Sequence, residues 1–143
     1  MKLVKHLLDG KGRHIVSVVP DSTVLEAIIL MADKAIGSLI VMDDDELLGI
    51  VTERDYARKV IIKGRSSKST RVSEIMTTGV FTTSSAASVN DCMSLMTEKR
   101  IRHLPVLEDN RVIGMISIGD LVQAIISDQK EEIEQLENYI SGM

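Results

Sequence analysis

The sequence predicts an α/β (α+β) fold in which one small unit is used twice, and three observations carry that prediction. The stretch Gly49-Ile50-Val51-Thr52-Glu53-Arg54-Asp55 returns 65 residues later as Gly114-Met115-Ile116-Ser117-Ile118-Gly119-Asp120. In each copy an aliphatic run of strand character leads through a hydroxyl into sequence of helical character. The same offset, without a gap, also aligns Val24 with Val89, Met31 with Met96, Lys34 with Lys99, Leu39 with Leu104 and Val41 with Val106. A repeat of this length is one folding unit used twice. Each half is too small to bury a good core alone, so the halves are predicted to pack on each other.

Composition bounds the rest. The 143 residues hold eight Met, one Phe, two Tyr and no Trp, so aliphatics build the core and aromatic platforms for nucleic-acid bases are scarce. The lone Cys92 excludes an internal disulfide and fits a reducing, cytoplasmic setting. No apolar run approaches the ~20 residues of a membrane span, and the N-terminal residues do not read as a signal peptide. The net charge of −4 arises in residues 128–137, where Asp128, Glu131, Glu132, Glu134 and Glu137 face Lys130 alone. The middle of the chain is basic: Arg54, Arg58, Lys59, Lys63, Arg65, Lys68 and Arg71 stand against Asp55.

In chain order, Leu3, Val4, Leu7 and Leu8 have helical spacing and predict a short lead-in helix, broken at Asp9-Gly10-Lys11-Gly12. His6 and His14 read as surface residues, since no Cys or carboxylate lies at metal-site spacing. Ile15 to Val19 predicts a short strand ended by Pro20. Thr23-Val24-Leu25-Glu26 has the capping-box spacing, repeated less perfectly by Ser88-Val89-Asn90-Asp91. Val24, Ala27, Ile28 and Met31 form one helical face, and Val89, Cys92, Met93 and Met96 form its counterpart, which makes Cys92 a packing residue.

Leu39 to Met42 and Leu48 to Thr52 predict two strands joined by an acidic turn; Leu104 to Leu107 and Val112 to Ser117 repeat them. The run Asp43-Asp44-Asp45 lacks the glycine and closing glutamate of an EF-hand loop and reads as a solvated turn. Asp55 to Lys63 predicts a helix, residues 64–70 a linker, and Arg71 to Thr77 a second lead-in helix. The last helix is predicted from Asp120 to about Ile140. Its Ile126, Ile133, Leu136 and Ile140, with Gln129 in phase, follow a coiled-coil seam that either packs back or pairs with another subunit. Boundaries follow: residues 1–64 as lead-in helix and first repeat, 65–128 as linker and second repeat, 129–143 as an acidic helical extension.

The repeated motif has two chemical readings. A hydroxyl three residues before a carboxylate satisfies free N–H groups at a helix start. The same groups can hold a ribose and its phosphate, because a carboxylate accepts from both ribose hydroxyls and a helix start attracts anions.

Ser17-Val18-Val19-Pro20-Asp21-Ser22-Thr23-Val24, Ile36-Gly37-Ser38-Leu39-Ile40-Val41, Arg102-His103-Leu104-Pro105-Val106 and the two glycine-to-aspartate motifs resemble the CBS domain pair (the cystathionine β-synthase domain, or Bateman module) over about residues 1–128. The resemblance implies a β-α-β-β-α unit per repeat, pseudo-twofold pairing, and clefts for adenosine nucleotides such as AMP, ADP, ATP or NAD(H). It implies that Asp55 and Asp120 take ribose, with Thr52 and Ser117 on ribose or phosphate. Gly37, Ser38, Arg102 and His103 would face the phosphates, and Val18 and Pro20, or Thr83 and Ser85, the adenine. Ser85-Ala86-Ala87 replaces the commoner pattern seen at Pro20-Asp21-Ser22. Arg54 borders the first motif where Gly119 borders the second, so the Asp55 site is expected to be the more basic.

The expected function is a regulatory, ligand-sensing module that signals to a partner protein, forms a homodimer and is not an enzyme. Against catalysis stand the missing metal cluster, nucleophile constellation and Walker-type glycine loop, and His103 has no partner acid or nucleophile at recognisable spacing. The alternatives are an RNA- or DNA-binding module, resting on the basic segment, or a purely structural dimerisation module.

Overall fold

The computed structural model describes residues 2–142. In chain order the elements are α1 (Val4–Lys11), β1 (Ser17–Val18), α2 (Val24–Lys34), β2 (Ser38–Asp43), β3 (Glu46–Thr52), α3 (Glu53–Tyr56), β4 (Thr83–Ser84), α4 (Val89–Lys99), β5 (His103–Glu108), β6 (Arg111–Ser117) and α5 (Ile118–Ser141). They form a mixed α+β fold with two three-stranded sheets, ordered β1-β2-β3 and β4-β5-β6. The chain divides into two compact units. One holds Ile15–Phe81 with Asn110–Val112; the other holds the chain up to His14, Thr82–Asp109 and the chain from Ile113.

In the first unit β2 runs parallel to β1 and antiparallel to β3, with Ser38 opposite Thr52 and Ile40 opposite Ile50. The β2–β3 connection puts Asp44 and Asp45 at φ 49° and 66°, the left-handed pair of a type I′ turn that matches the twist of a tight hairpin. Aspartate tolerates that conformation, so the acidic run is turn chemistry. Helix α2 starts at Thr23, whose hydroxyl accepts from the Glu26 N–H at 3.2 Å, and turns Val24, Ala27 and Met31 onto Leu39, Val41 and Val51. Helix α3 begins two residues earlier than the sequence predicts and widens into a π-helical turn over Ala57–Ile61.

The second unit repeats this plan. Ser88 caps α4 by accepting from the Asp91 N–H at 3.0 Å, and Cys92 and Met96 pack with Leu104, Val106 and Ile116. The β5–β6 turn uses Asp109 and Asn110 at φ 52° and 64°. Burial pushes the Cys92 thiol up in pKa, against a smaller opposing effect of the Thr83 hydroxyl 3.3 Å away.

Two expectations are corrected. The segment Arg71–Thr77 is not a helix: only Val72–Glu74 forms a 3-10 turn, because Thr77 exchanges backbone hydrogen bonds of 2.9 and 3.0 Å with Ile50 and is drawn out as a bridge beside β3. The lead-in helix α1 does not belong with the first repeat, as a boundary of 1–64 supposes. Val4 and Leu8 lie fully buried among Val89, Met96, Ile116 and Leu121, and burying a leucine is worth roughly 1.5–3 kcal/mol. Residues 129–141 continue α5 without a break.

The glycines that open the two motifs record this exchange of lead-in segments. A Cβ on Gly49 would lie 2.6 Å from the Thr77 carbonyl oxygen, and one on Gly114 would lie 2.7 Å from Leu8 Cδ2. Each glycine lets a lead-in segment approach the strand that carries the motif.

Candidate functional site

Both motifs close as reciprocal helix caps. The Asp55 N–H donates to Thr52 Oγ1 at 3.1 Å, and Asp55 Oδ2 accepts from the Thr52 N–H at 3.0 Å. In the second unit the Asp120 N–H donates to Ser117 Oγ at 3.2 Å, and Asp120 Oδ2 accepts from the Ser117 N–H at 2.8 Å. The capping reading of the sequence is therefore met in full, and the carboxylates are held rigidly at the two strand-to-helix junctions.

The start of the strand paired with the one before each junction, β2 or β5, brings a second pair of candidate residues to it. The Glu53 N–H donates to the Gly37 carbonyl at 3.1 Å, and the Ile118 N–H donates to the Arg102 carbonyl at 2.8 Å. These are equivalent bonds in the two repeats. Gly37 and Ser38 thus sit beside Thr52 and Asp55, with Ser38 buried and Gly37 exposed, while Arg102 and His103 sit beside Ser117 and Asp120. Arg54 and Arg102 are exposed, and among the described residues neither forms an ion pair with Asp55 or Asp120.

Each aspartate carries a lysine that the sequence reading missed. Lys59 Nζ lies 3.1 Å from Asp55 Oδ1 and donates to the Ile75 carbonyl at 2.8 Å. Lys11 Nζ lies 2.6 Å from Asp120 Oδ2 and donates to the Met115 carbonyl at 2.9 Å. Lys59 was legible as the i+4 neighbour of Asp55 on a helix. Lys11 had no local signal, because it arrives from α1, 109 residues away in sequence. Lys11, Arg102 and His103 all stand in the unit that holds Asp120. An open groove of about 400 Å³ between α1 and α5 has Lys2, His6, Lys11, Asp120 and Ser127 in its walls.

Electrostatics follow from this grouping. Burial alone would raise the Asp120 carboxyl, but the hydrogen bonds from Lys11 and from the Ser117 N–H overcome it and hold the pKa below its ordinary value. His103 is lowered by burial first, then by the Lys11 and Arg102 charges, with Asp120 opposing. His6 Nδ1 accepts from the Leu3 N–H at 2.9 Å, an end-capping role for that histidine. Among the described residues no group of three His, Cys, Asp or Glu is placed to hold a metal ion.

A family model for the CBS domain matches residues 11–62 and residues 72–127. The chain belongs to the CBS-domain family. Its two CBS repeats are similar to several known proteins. The CBS domain-containing protein CBSX3, mitochondrial, of Arabidopsis thaliana is 46% identical over 127 residues, 85% of this chain and 62% of that protein; the chain thus spans less than two thirds of its length. A solved structure of a protein with CBS domains from Burkholderia ambifaria shares 53% identity at a TM-score of 0.84, covering 90% of this chain and 96% of that one. The CBS domain pair of the protein MJ0100, in complex with 5′-methylthioadenosine and S-adenosyl-L-methionine, shares 25% identity at a TM-score of 0.79, covering 90% and 98%.

The remaining candidate residues fall on the first strand of each CBS repeat or just after it. Val18 ends β1 opposite Val41, and the Pro20 carbonyl accepts from the Ser73 N–H at 3.1 Å. Thr83 lies on β4 opposite Val106, and the Ser85 carbonyl accepts from the Lys5 N–H at 3.0 Å. All four are half-buried. Among the described residues no helix is long and apolar enough to cross a membrane.

Proposed function

We propose that this CBS pair is a regulatory module that binds adenosine nucleotides and passes the occupied state to a partner protein. One observation carries the reading: two equivalent junctions each fix a hydroxyl and a carboxylate beside a lysine. Among the described residues the contacts of the Asp120 carboxylate fall on Oδ2, which leaves Oδ1 to accept from a ribose hydroxyl. Asp55 offers the same acceptor once Lys59 swings aside. Thr52 and Ser117 serve ribose or phosphate, and Gly37, Ser38, Arg54, Arg102 and His103 serve phosphate. Adenine lies on Val18 and Pro20, or on Thr83 and Ser85. The adenosine compounds held by the MJ0100 pair support this ligand class, within which AMP, ADP, ATP and NAD(H) are the candidates.

The proposal is binding without turnover in a cytoplasmic homodimer. The nucleic-acid alternative is weakened by the basic segment itself. Lys59 is committed to Asp55, Arg65 pairs with Glu74 at 2.6 Å, and Arg71 donates to the Asp21 carbonyl at 2.8 Å.

Thermal shift tests the reading. A ligand at ~100 times its dissociation constant adds ~2.7 kcal/mol, several degrees in melting temperature for a chain of this size. AMP, ADP, ATP or NADH is expected to raise the melting temperature of the parent, and Asp55→Ala and Asp120→Ala to lose part of that rise. If no adenosine compound shifts the parent, or neither variant loses any shift, the motifs are helix caps and nothing more. Sustained nucleotide hydrolysis lost in those variants would overturn the absence of turnover.

A further inference from the structure

Ala124 is the last buried residue of α5, Ser127 and Asp128 still reach Lys2 of its unit, and the helix runs on to Ser141. From Gln129 to Gly142 every residue is exposed, with Ile133 at 54%, Leu136 at 62%, Tyr139 at 71% and Ile140 at 68%. A helical stretch of this length is marginal in water by itself, and its apolar side chains follow a heptad seam. Taking Ile126, Ile133 and Ile140 as a positions places Gln129 and Leu136 at d, Lys130 and Glu137 at e, and Glu132 and Tyr139 at g. Glu131 and Glu134 fall on the outer face.

The flanking charges decide what can cover this seam. In a parallel pair of copies, g meets the following e, so Glu132 faces Glu137 of the other copy twice. In an antiparallel pair centred between Gln135 and Glu134, Ile133 meets Leu136 and Ile140 meets Gln129. That register sets Lys130 against Glu137 on both sides and Glu132 against Tyr139. Sliding it by one heptad toward the N-terminus puts Lys130 against its own copy and Glu132 against its own copy. Sliding it the other way opposes Glu137 to itself. Like charges at these positions destabilise and opposite charges stabilise by similar amounts.

We propose that the exposed half of α5 pairs with the same segment of a second copy of this chain, antiparallel, with Ile133 and Leu136 at the centre and Lys130–Glu137 pairs at the flanks. This rests on the homodimer part of the reading above and adds to it the surface, the direction and the register.

Charge reversal separates the alternatives by sign. Glu137→Lys turns two attractive pairs into two repulsive ones in the antiparallel register, whereas it relieves repulsion in the parallel one. Sedimentation equilibrium of the full chain is expected to show Glu137→Lys dimerising about tenfold more weakly, and the double variant Lys130→Glu/Glu137→Lys returning to the parent value. The exposed Ile133→Glu is expected to give a monomer whose circular dichroism loses at most the helix signal of residues 129–141. Crosslinking supplies the geometry. Equal amounts of Lys130→Cys and Glu137→Cys, mixed and oxidised, are expected to form disulfide-linked heterodimers, while each variant alone does not; the native Cys92 is buried and silent. A monomeric parent overturns the homodimer itself. A dimer that survives Ile133→Glu overturns this surface, and tighter association of Glu137→Lys overturns the antiparallel register.

Discussion

The Lys11 ammonium lies 2.6 Å from Asp120 Oδ2, so the last residue of α1 is docked on the carboxylate that the motif holds out. Lys11 is 40% exposed and Asp120 24%, which limits the ion pair to a fraction of a kcal/mol up to about one. A contact that weak can be exchanged for a ligand. In the proposed mode, a ribose diol that took both oxygens of the carboxylate would displace the lysine and free its ammonium for a phosphate.

Lys11→Met is therefore expected to act in opposite directions on two ligands. In an Asp55→Ala background, where the second CBS repeat reports alone, adenosine binding should tighten about two- to fivefold because its competitor is gone. ATP binding should weaken roughly tenfold through loss of a charged hydrogen bond to phosphate. Isothermal titration measures both. A parallel loss of both affinities would mean that Lys11 only anchors α1, and no change would mean that it never meets the ligand.

The contrast between Lys59 and Lys11 shows what the sequence could convey. The repeated motif, both hairpins, the capped helices and the buried Cys92 were legible because each is written in spacing within a few residues. Lys59 belonged to that class. Lys11 did not, nor did the placement of α1, since nothing in Leu3 to Lys11 says which sheet the helix covers. The same limit misplaced Arg71–Thr77: Val72, Ile75 and Met76 have helical spacing, but the open edge at Ile50 offered Thr77 two strand-type hydrogen bonds. Tertiary competition decided both cases. The grouping of Arg102 and His103 with Asp120 likewise depends on the Ile118–Arg102 bond, which no local pattern announces.

The motif glycines should differ in tolerance. Gly49→Ala drives a methyl to 2.6 Å from a backbone oxygen that is itself fixed by pairing with Ile50, so about 2–3 kcal/mol of stability should be lost. Gly114→Ala meets only the tip of Leu8, and about 1 kcal/mol is expected. Urea titrations provide the comparison. Placing Gly114→Ala in a Leu8→Ala background should cost less than in the parent, because the clashing methyl is absent; equal cost in both backgrounds would remove Leu8 as the cause.

Protonation gives the sharpest reading of the second site. In the folded chain His103 is held below its ordinary pKa of 6.5 by burial and by Lys11 and Arg102, so it stays neutral where the unfolded chain already binds a proton. With a folded pKa depressed for a base, stability is lost as pH falls from 6.5 toward the lowered value; above 6.5 it is constant in this respect. A phosphate bound beside His103, as proposed, would reverse the local charge and lift its pKa, so nucleotide binding at pH 6 should draw a proton onto the imidazole. Titrating ATP at pH 6 in buffers of different ionisation enthalpy gives the net proton uptake. The parent is expected to take up a larger fraction of a proton than His103→Gln, the difference cancelling the ligand's own titration, and to lose that excess at pH 8. Equal uptake by the two proteins would place His103 away from the phosphates and leave Lys11 and Arg102 as the groups that meet them.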